Sequence, residues 1–104
     1  MRYKGSLYEP DNWVILEIEH EGSTFHKVLA GWSGGYLDGD TWRFNSGIER
    51  IVTNEHHYEI HGYSGSVYKV GKGSELVRAN ISGILEECLS TGKVKQIKIE
   101  DILV

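Results

Sequence analysis

One serine in the first half of the chain has a spacing that could support nucleophilic chemistry. Residues 31–35, Gly-Trp-Ser-Gly-Gly, satisfy the pattern G-x-S-x-G, which exposes a serine on a strained turn between a strand and a helix. The chemistry also needs an acid, a histidine and backbone N–H groups to stabilise an oxyanion. No helical pattern follows Ser33, and 104 residues are too few for the sheet that normally holds such a turn. A glycine-rich turn explains the match better, so a small hydrolase is the least favoured function.

Histidines are the other residues that could act as bases or metal ligands. They are His20, His26, His56, His57 and His61. His57 and His61 are four positions apart, which suits zinc on a helix. The surrounding pattern predicts a strand, on which this spacing separates the α-carbons by about 14 Å on one face. That distance is too long for one metal ion, so we predict histidines that face solvent and no metal site.

The single cysteine, Cys88, and the glycine-rich segments give no clear sign of a cofactor. Cys88 lies on the apolar stripe of a predicted helix, where a free thiol behaves as a small hydrophobic residue. Neither G-x-x-x-x-G-K-[ST] nor a helix-opening G-x-G-x-x-G occurs, so nucleotide fingerprints are absent from the sequence. We therefore expect no cofactor.

Aromatic and small polar residues gather around two Gly-Ser segments in the middle of the chain. Rings contribute a large contact area at low entropic cost, and Ser and Asn adapt their hydrogen bonds, so such groups dominate recognition surfaces. The same rings could instead fill a core, and of these residues we expect Trp42 and Arg43 to be exposed. The predicted binding residues are Trp32, Tyr36, Trp42, Arg43, Asn45, Tyr63, Ser64 and Tyr68.

Composition places the chain among ordinary globular proteins and restricts its partners. It has 11 Lys and Arg against 15 Asp and Glu, a formal net charge of −4, which disfavours nucleic acid. No apolar run follows the first cations, so we expect neither a leader nor a membrane anchor. One cysteine cannot form an internal disulfide, which favours a reducing compartment. We predict a single cytoplasmic domain over residues 1–104.

Hydrophobic periodicity predicts a β-rich chain with one helix near its end. Alternation indicates strands over residues 13–19, 24–32, 47–52, 57–61 and 67–70, and a last strand over 93–101. Val77, Ile81, Ile84 and Cys88 follow helical spacing, with Gly83 favouring a regular start near Ser82 and Gly92 offering a left-handed exit. We predict an α+β fold: a twisted antiparallel sheet of about five or six strands with one C-terminal helix packed on it.

Three functions are compatible with these features of the sequence. We favour a small acidic binding protein that occupies a partner protein, as an inhibitor, immunity protein or adaptor does. The alternative is capture of an aromatic or nucleotide-like ligand by Trp42 and Tyr63, with Arg43 and the Gly-Ser turns holding its anionic part. The hydrolase is third. The apolar residues 102–104 should dock on the domain or on a second subunit, which favours a homo-oligomer.

Overall fold

The structure is a computed structural model that describes residues 5–34 and 39–103. Within these residues it contains eight strands and one α-helix. The strands are β1 (Leu7–Tyr8), β2 (Asn12–His20), β3 (Ser23–Trp32), β4 (Thr41–Phe44), β5 (Ile48–Thr53), β6 (His57–Gly62), β7 (Val67–Gly71) and β8 (Val94–Ile97). The helix α1 spans Ala79–Leu89, and short 3₁₀ helices cover Lys72–Ser74 and Ile99–Ile102.

The strands form two sheets of four strands each, and the α+β class is confirmed. Sheet I has the order β1-β7-β6-β5, and sheet II has the order β4-β3-β2-β8. The sequence predicted one sheet of about five or six strands, whereas the described residues form eight strands in two sheets. The pairing is antiparallel except between β1 and β7, which are parallel.

Residues 13–16 of β2 are apolar on both faces because sheet II lies between sheet I and α1. Trp13 and Ile15 pack in one core with Tyr58 and Ile60 of sheet I. On the other face, Val14, Leu16 and Leu29 form a second core with Ile81 and Leu85 of α1. The alternation predicted that the two sets of side chains point in opposite directions. It did not show that both sets are buried.

The hairpin between β2 and β3 closes in a two-residue turn. Glu21 and Gly22 both have positive φ, at 51° and 82°. Turns of this hand match the twist of the flanking strands, and they favour Asn-Gly or Gly-Gly because other residues resist positive φ. Glu21 is thus the strained position of the hairpin.

A pair of buried amides joins α1 to sheet II. The Nδ2 of Asn12 donates to the Oδ1 of Asn80 at 3.0 Å, and the Nδ2 of Asn80 donates back to the Oδ1 of Asn12 at 2.7 Å. Gly31 lies beneath the pair, since a Cβ there would meet the Asn80 side chain at 2.7 Å. This docking fixes the first turn, so the helix starts at Ala79 rather than near Ser82.

The last predicted strand is shorter than expected. It ends at Ile97, and the chain turns into the 3₁₀ helix, whose start is capped by the Asp101 carboxylate accepting from the Lys98 N–H at 3.1 Å. Ile99 is buried, and Ile102 packs against the core between the sheets. The predicted left-handed exit at Gly92 is confirmed by its φ of 78°.

Candidate functional site

The edge strands β1 and β4 belong to different sheets, and the Tyr8 ring of β1 contacts sheet II. Tyr8 of β1 stacks on Tyr68 of β7, with ring centres 4.8 Å apart. Its edge also meets Trp32 of sheet II at 6.2 Å. These two ring contacts fix the two-residue strand β1, which pairs with β7 alone among the described strands, against sheet II.

An open cleft of about 410 Å³ lies between these two edges. Its lining residues are Leu7, Tyr8, Glu9, Trp32, Thr41, Trp42 and Arg43. The Nε1 of Trp32 donates to the Glu9 carbonyl at 3.2 Å, which fixes the indole against the β1 segment. We call this depression the aromatic cleft.

Trp42 and Arg43 reach the aromatic cleft from opposite faces of β4. Arg43 pairs with Ala30 across the ladder and shares the face of sheet II that looks toward sheet I. Trp42 pairs with Gly31, on the face that carries α1, and its ring rests edge-on against Phe44 at 5.4 Å. The predicted exposure of both residues is confirmed, with Trp42 46% exposed.

A second depression of about 250 Å³ lies on the other side of Arg43. It is lined by Tyr8, Arg43, Phe44, Asn45, Ser46, Ser64, Ser66 and Tyr68. The Oγ of Ser46 accepts from the Ser64 N–H at 2.9 Å, and the Oγ of Ser66 accepts from the Ser6 N–H at 3.3 Å. We call it the serine pocket; it shares Tyr8 and Arg43 with the aromatic cleft.

Arg43 is the one charged residue among the described residues that line the serine pocket. Its guanidinium carbon lies 4.9 Å from the centre of the Tyr8 ring, a cation–π contact. No ion pair to Arg43 is found within residues 5–34 and 39–103. The Arg43 charge also acts on the phenol of Tyr68. Burial raises the pKa of the Tyr68 phenol to about 12, against the opposing influence of the Arg43 charge.

The structure brings together most of the binding residues predicted from sequence. Trp32, Trp42 and Arg43 line the aromatic cleft, and Arg43, Asn45, Ser64 and Tyr68 line the serine pocket. Tyr63 is 69% exposed but lines neither depression. Tyr36 lies outside the described residues.

Two of the predicted residues support the site from inside the protein. Tyr68 is 1% exposed and belongs to the core between the sheets, and its hydroxyl donates to the Phe44 carbonyl at 3.3 Å. Asn45 is 5% exposed, and its Oδ1 accepts from the Val28 N–H at 2.9 Å. The Asn45 Nδ2 has no hydrogen-bond partner in the part of the chain that the structure describes.

Sequence reasoning missed Tyr8, Ser46 and Ser66. Tyr8 touches both depressions, yet it stands in a segment without periodicity just before Pro10. The available signal was an aromatic residue between a glycine-containing start and a proline. That signal does not reveal which distant strand the ring will reach.

Comparisons were made with protein-family models, curated proteins and solved structures. None of them matches this chain.

The remaining chemical candidates lie elsewhere and are engaged locally. Ser33 is exposed, and its backbone N–H donates to the Asp11 carboxylate at 2.7 Å. His26 contacts Glu17 at 3.2 Å, and His57 contacts the Asn54 amide at 2.9 Å. No group of three or more His, Cys, Asp or Glu side chains placed to hold a metal occurs among residues 5–34 and 39–103.

Cys88 lies on α1, the one α-helix among the residues that the structure describes. Cys88 is half-buried, and burial, followed by the charge of Glu87, raises the pKa of its thiol, which disfavours the thiolate. Within the described ranges no helix is both long enough and apolar enough to cross a membrane.

Proposed function

We propose that this chain is a small acidic cytoplasmic binding protein that acts by occupying a partner protein, as inhibitors, immunity proteins and adaptors do. One observation carries the proposal: exposed Trp42 and Arg43 flank the aromatic cleft at an open edge of the fold, and Arg43 has no ion pair with any residue that the structure describes. Trp, Tyr and Arg provide most binding energy at protein interfaces because they combine large apolar area with directed polar groups.

The cleft is suited to a protein partner because its walls are held before binding. Tyr8 is fixed by contacts with Trp32 and Tyr68, so its ring does not need to be ordered when a partner arrives. Preorganisation of this kind lowers the entropic cost of association. The net charge of −4 further favours a partner whose surface is basic overall.

Capture of a small ligand is the second candidate, and the serine pocket favours it. That pocket places Arg43 beside serine hydroxyls, which suits the anionic part of a small molecule. Native mass spectrometry of the freshly purified protein distinguishes the two. A bound small molecule that is lost in Arg43→Gln supports ligand capture, and its absence supports the partner-protein proposal.

The proposed homo-oligomer rests on exposed apolar side chains. Leu7, Leu89 and Leu103 are each exposed by more than a third. Ile102, by contrast, packs on the core of its own chain and needs no second subunit. Light scattering measures the oligomeric state. A monomer at high concentration would rule out the homo-oligomer and leave the partner-binding proposal unaffected.

The partner-protein proposal is tested by affinity capture with matched variants. Trp42→Ala removes the exposed ring at the cleft, and Leu89→Ala removes an exposed apolar side chain from the end of α1. We expect one protein to be recovered with the wild type and with Leu89→Ala, and to be lost with Trp42→Ala. Equal recovery with all three baits, or no specific protein with any of them, contradicts the proposal.

A further inference from the structure

We infer that the serine pocket is a receptor for a carboxylate. The inference rests on the proposed function and deepens it, because it states which chemical group of the ligand or partner enters beside Arg43. Among residues 5–34 and 39–103, the lining of the pocket includes one cationic residue and no acidic residue.

The serine pocket contains side-chain hydrogen-bond donors that donate no hydrogen bond within the described residues. The Oγ atoms of Ser46 and Ser66 each accept a bond from a backbone N–H, which leaves their own hydroxyl protons to donate. No bond donated by these two hydroxyls, or by that of Ser64, occurs within the described ranges. Asn45 lies at the inner wall of the same pocket, and its buried NH₂ group has no hydrogen-bond partner among the described residues, so the donors exposed to a ligand are the serine hydroxyls and Arg43.

Arg43 is held in place without being neutralised. The Tyr8 ring supports its guanidinium by the cation–π contact, and no described carboxylate pairs with it. A guanidinium presents planar donors that match the two oxygens of a carboxylate. A carboxylate of a ligand or partner therefore accepts the hydrogen bonds that the Arg43 guanidinium can donate.

The charge balance favours a carboxylate over a phosphate group. A carboxylate brings one negative charge, which Arg43 neutralises. A phosphate monoester carries about 1.5 to 2 negative charges at pH 7. The surplus would not be neutralised by the lining residues, in a protein whose net charge is already −4.

The group attached to the carboxylate is expected to be apolar. The serine pocket and the aromatic cleft share Tyr8 and Arg43, so the two depressions adjoin and a ligand bound at Arg43 lies next to the cleft. Trp32 and Trp42 then meet the group next to the carboxylate. The inferred ligand is an apolar or aromatic group adjoining a carboxylate, on a small molecule or as an acidic side chain of a partner.

The direct test uses NMR titration of the ¹⁵N-labelled protein with three probes. They are N-acetyltryptophan, its neutral amide, and inorganic phosphate. We expect N-acetyltryptophan to shift the Arg43 Nε–H signal and the backbone amides of Ser64 and Tyr68. The amide should bind at least about tenfold more weakly, because a charge-assisted hydrogen bond is worth roughly that factor. Phosphate should bind more weakly than the carboxylate.

Arg43→Gln and Arg50→Gln are the matched variants, because both arginines are exposed but only Arg43 lines the pocket. We expect about a tenfold loss of N-acetyltryptophan affinity in Arg43→Gln and none in Arg50→Gln. Circular dichroism confirms that both variants are folded. Equal affinity in the two variants, phosphate binding as tight as carboxylate binding, or no carboxylate response at all overturns the inference.

Two further experiments distinguish a carboxylate on a free small molecule from one on a side chain of a partner protein. They also distinguish failure of the carboxylate inference from failure of the proposed function. A small acid that co-purifies with the wild type and not with Arg43→Gln identifies a free ligand. A captured partner whose acidic residue couples to Arg43 in a double-mutant cycle identifies a side chain. If Trp42→Ala abolishes capture while Arg43→Gln leaves it unchanged, the proposed function stands and the carboxylate inference is wrong.

Discussion

The guanidinium carbon of Arg43 lies 4.9 Å from the centre of the Tyr8 ring, and this contact joins the edges of the two sheets. Arg43 belongs to β4 of sheet II, and Tyr8 belongs to β1 of sheet I. The same Tyr8 ring stacks on Tyr68. Both depressions of the candidate site therefore depend on the position of a single side chain.

Replacing Tyr8 by Ala should release β1 while the rest of the sheets persists. Strand β1 has only two residues, and the Val67 N–H donates to the Ser6 carbonyl at 2.9 Å beside it. We expect a loss of about 1–3 kcal/mol in unfolding free energy, since Tyr8 is only half-buried. Hydrogen exchange should become faster at the Val67 amide and stay unchanged at Ile60. Unchanged protection of Val67 would show that the ring does not hold the strand.

Removing the Arg43 charge should raise the pKa of Tyr68 further. Burial raises that pKa to about 12, and the Arg43 cation opposes the shift by stabilising the phenolate. In Arg43→Gln the tyrosinate absorbance at 295 nm should therefore develop at higher pH for this residue. Tyr68→Phe identifies the signal, and Arg50→Gln serves as the control. If the Tyr68 pKa is unchanged in Arg43→Gln, the Arg43 charge does not stabilise the Tyr68 phenolate.

The same pKa predicts how stability depends on alkaline pH. The folded pKa of Tyr68 is above the unfolded value of 10, so the folded state binds this proton more tightly. The stability contribution is complete below pH 10 and is lost as the pH rises through about 12. Chemical denaturation of the wild type and Tyr68→Phe across this range should show the difference, and parallel losses would contradict it.

The reciprocal amides of Asn12 and Asn80 should behave as one unit. Either single Ala substitution leaves a buried amide without its partner, at a cost of about 1–3 kcal/mol. The double substitution removes both groups, so we expect its cost to be smaller than the sum of the two. Urea denaturation of the four proteins measures the coupling. Additive losses would show that the pair contributes no mutual stabilisation.

Glu21→Asn should stabilise the first hairpin. Glu21 has a φ of 51°, which Asn tolerates better than Glu. Its contact with His20 is between exposed side chains and contributes little. We expect the unfolding free energy to increase by about 0.5–1 kcal/mol, measured by urea denaturation. A decrease would mean that the Glu21 side chain makes a stabilising interaction that outweighs its backbone strain.

Much of the fold could be predicted because alternation and turn residues act locally. The alternating apolar residues of β2 and β3, and Tyr58 and Ile60 of β6, predicted strands that the structure confirms. Strand β1 was missed because two residues are too few to show periodicity, and β4 was missed because Trp42 and Arg43 were assigned to a recognition segment rather than to a strand. The division into two sheets was missed because strand partners are chosen by long-range packing.

The site was partly predictable for the same reason. Residue types alone identified Trp42 and Arg43 as exposed candidates, and both line the aromatic cleft. They did not show that adjacent residues of a strand reach the cleft from opposite faces. Tyr8 was missed because its importance comes from contacts with Trp32 and Tyr68, which are distant in sequence.

Photo-crosslinking from position 42 tests partner binding most directly. Trp42 is replaced by p-benzoyl-phenylalanine, and the same residue replaces Lys69, which is exposed between buried Tyr68 and Val70 of β7. Irradiation in cells should join one partner protein to position 42 and leave position 69 without that adduct. The same adducts at both positions, or no protein adduct at position 42, would contradict a partner-binding surface at the aromatic cleft.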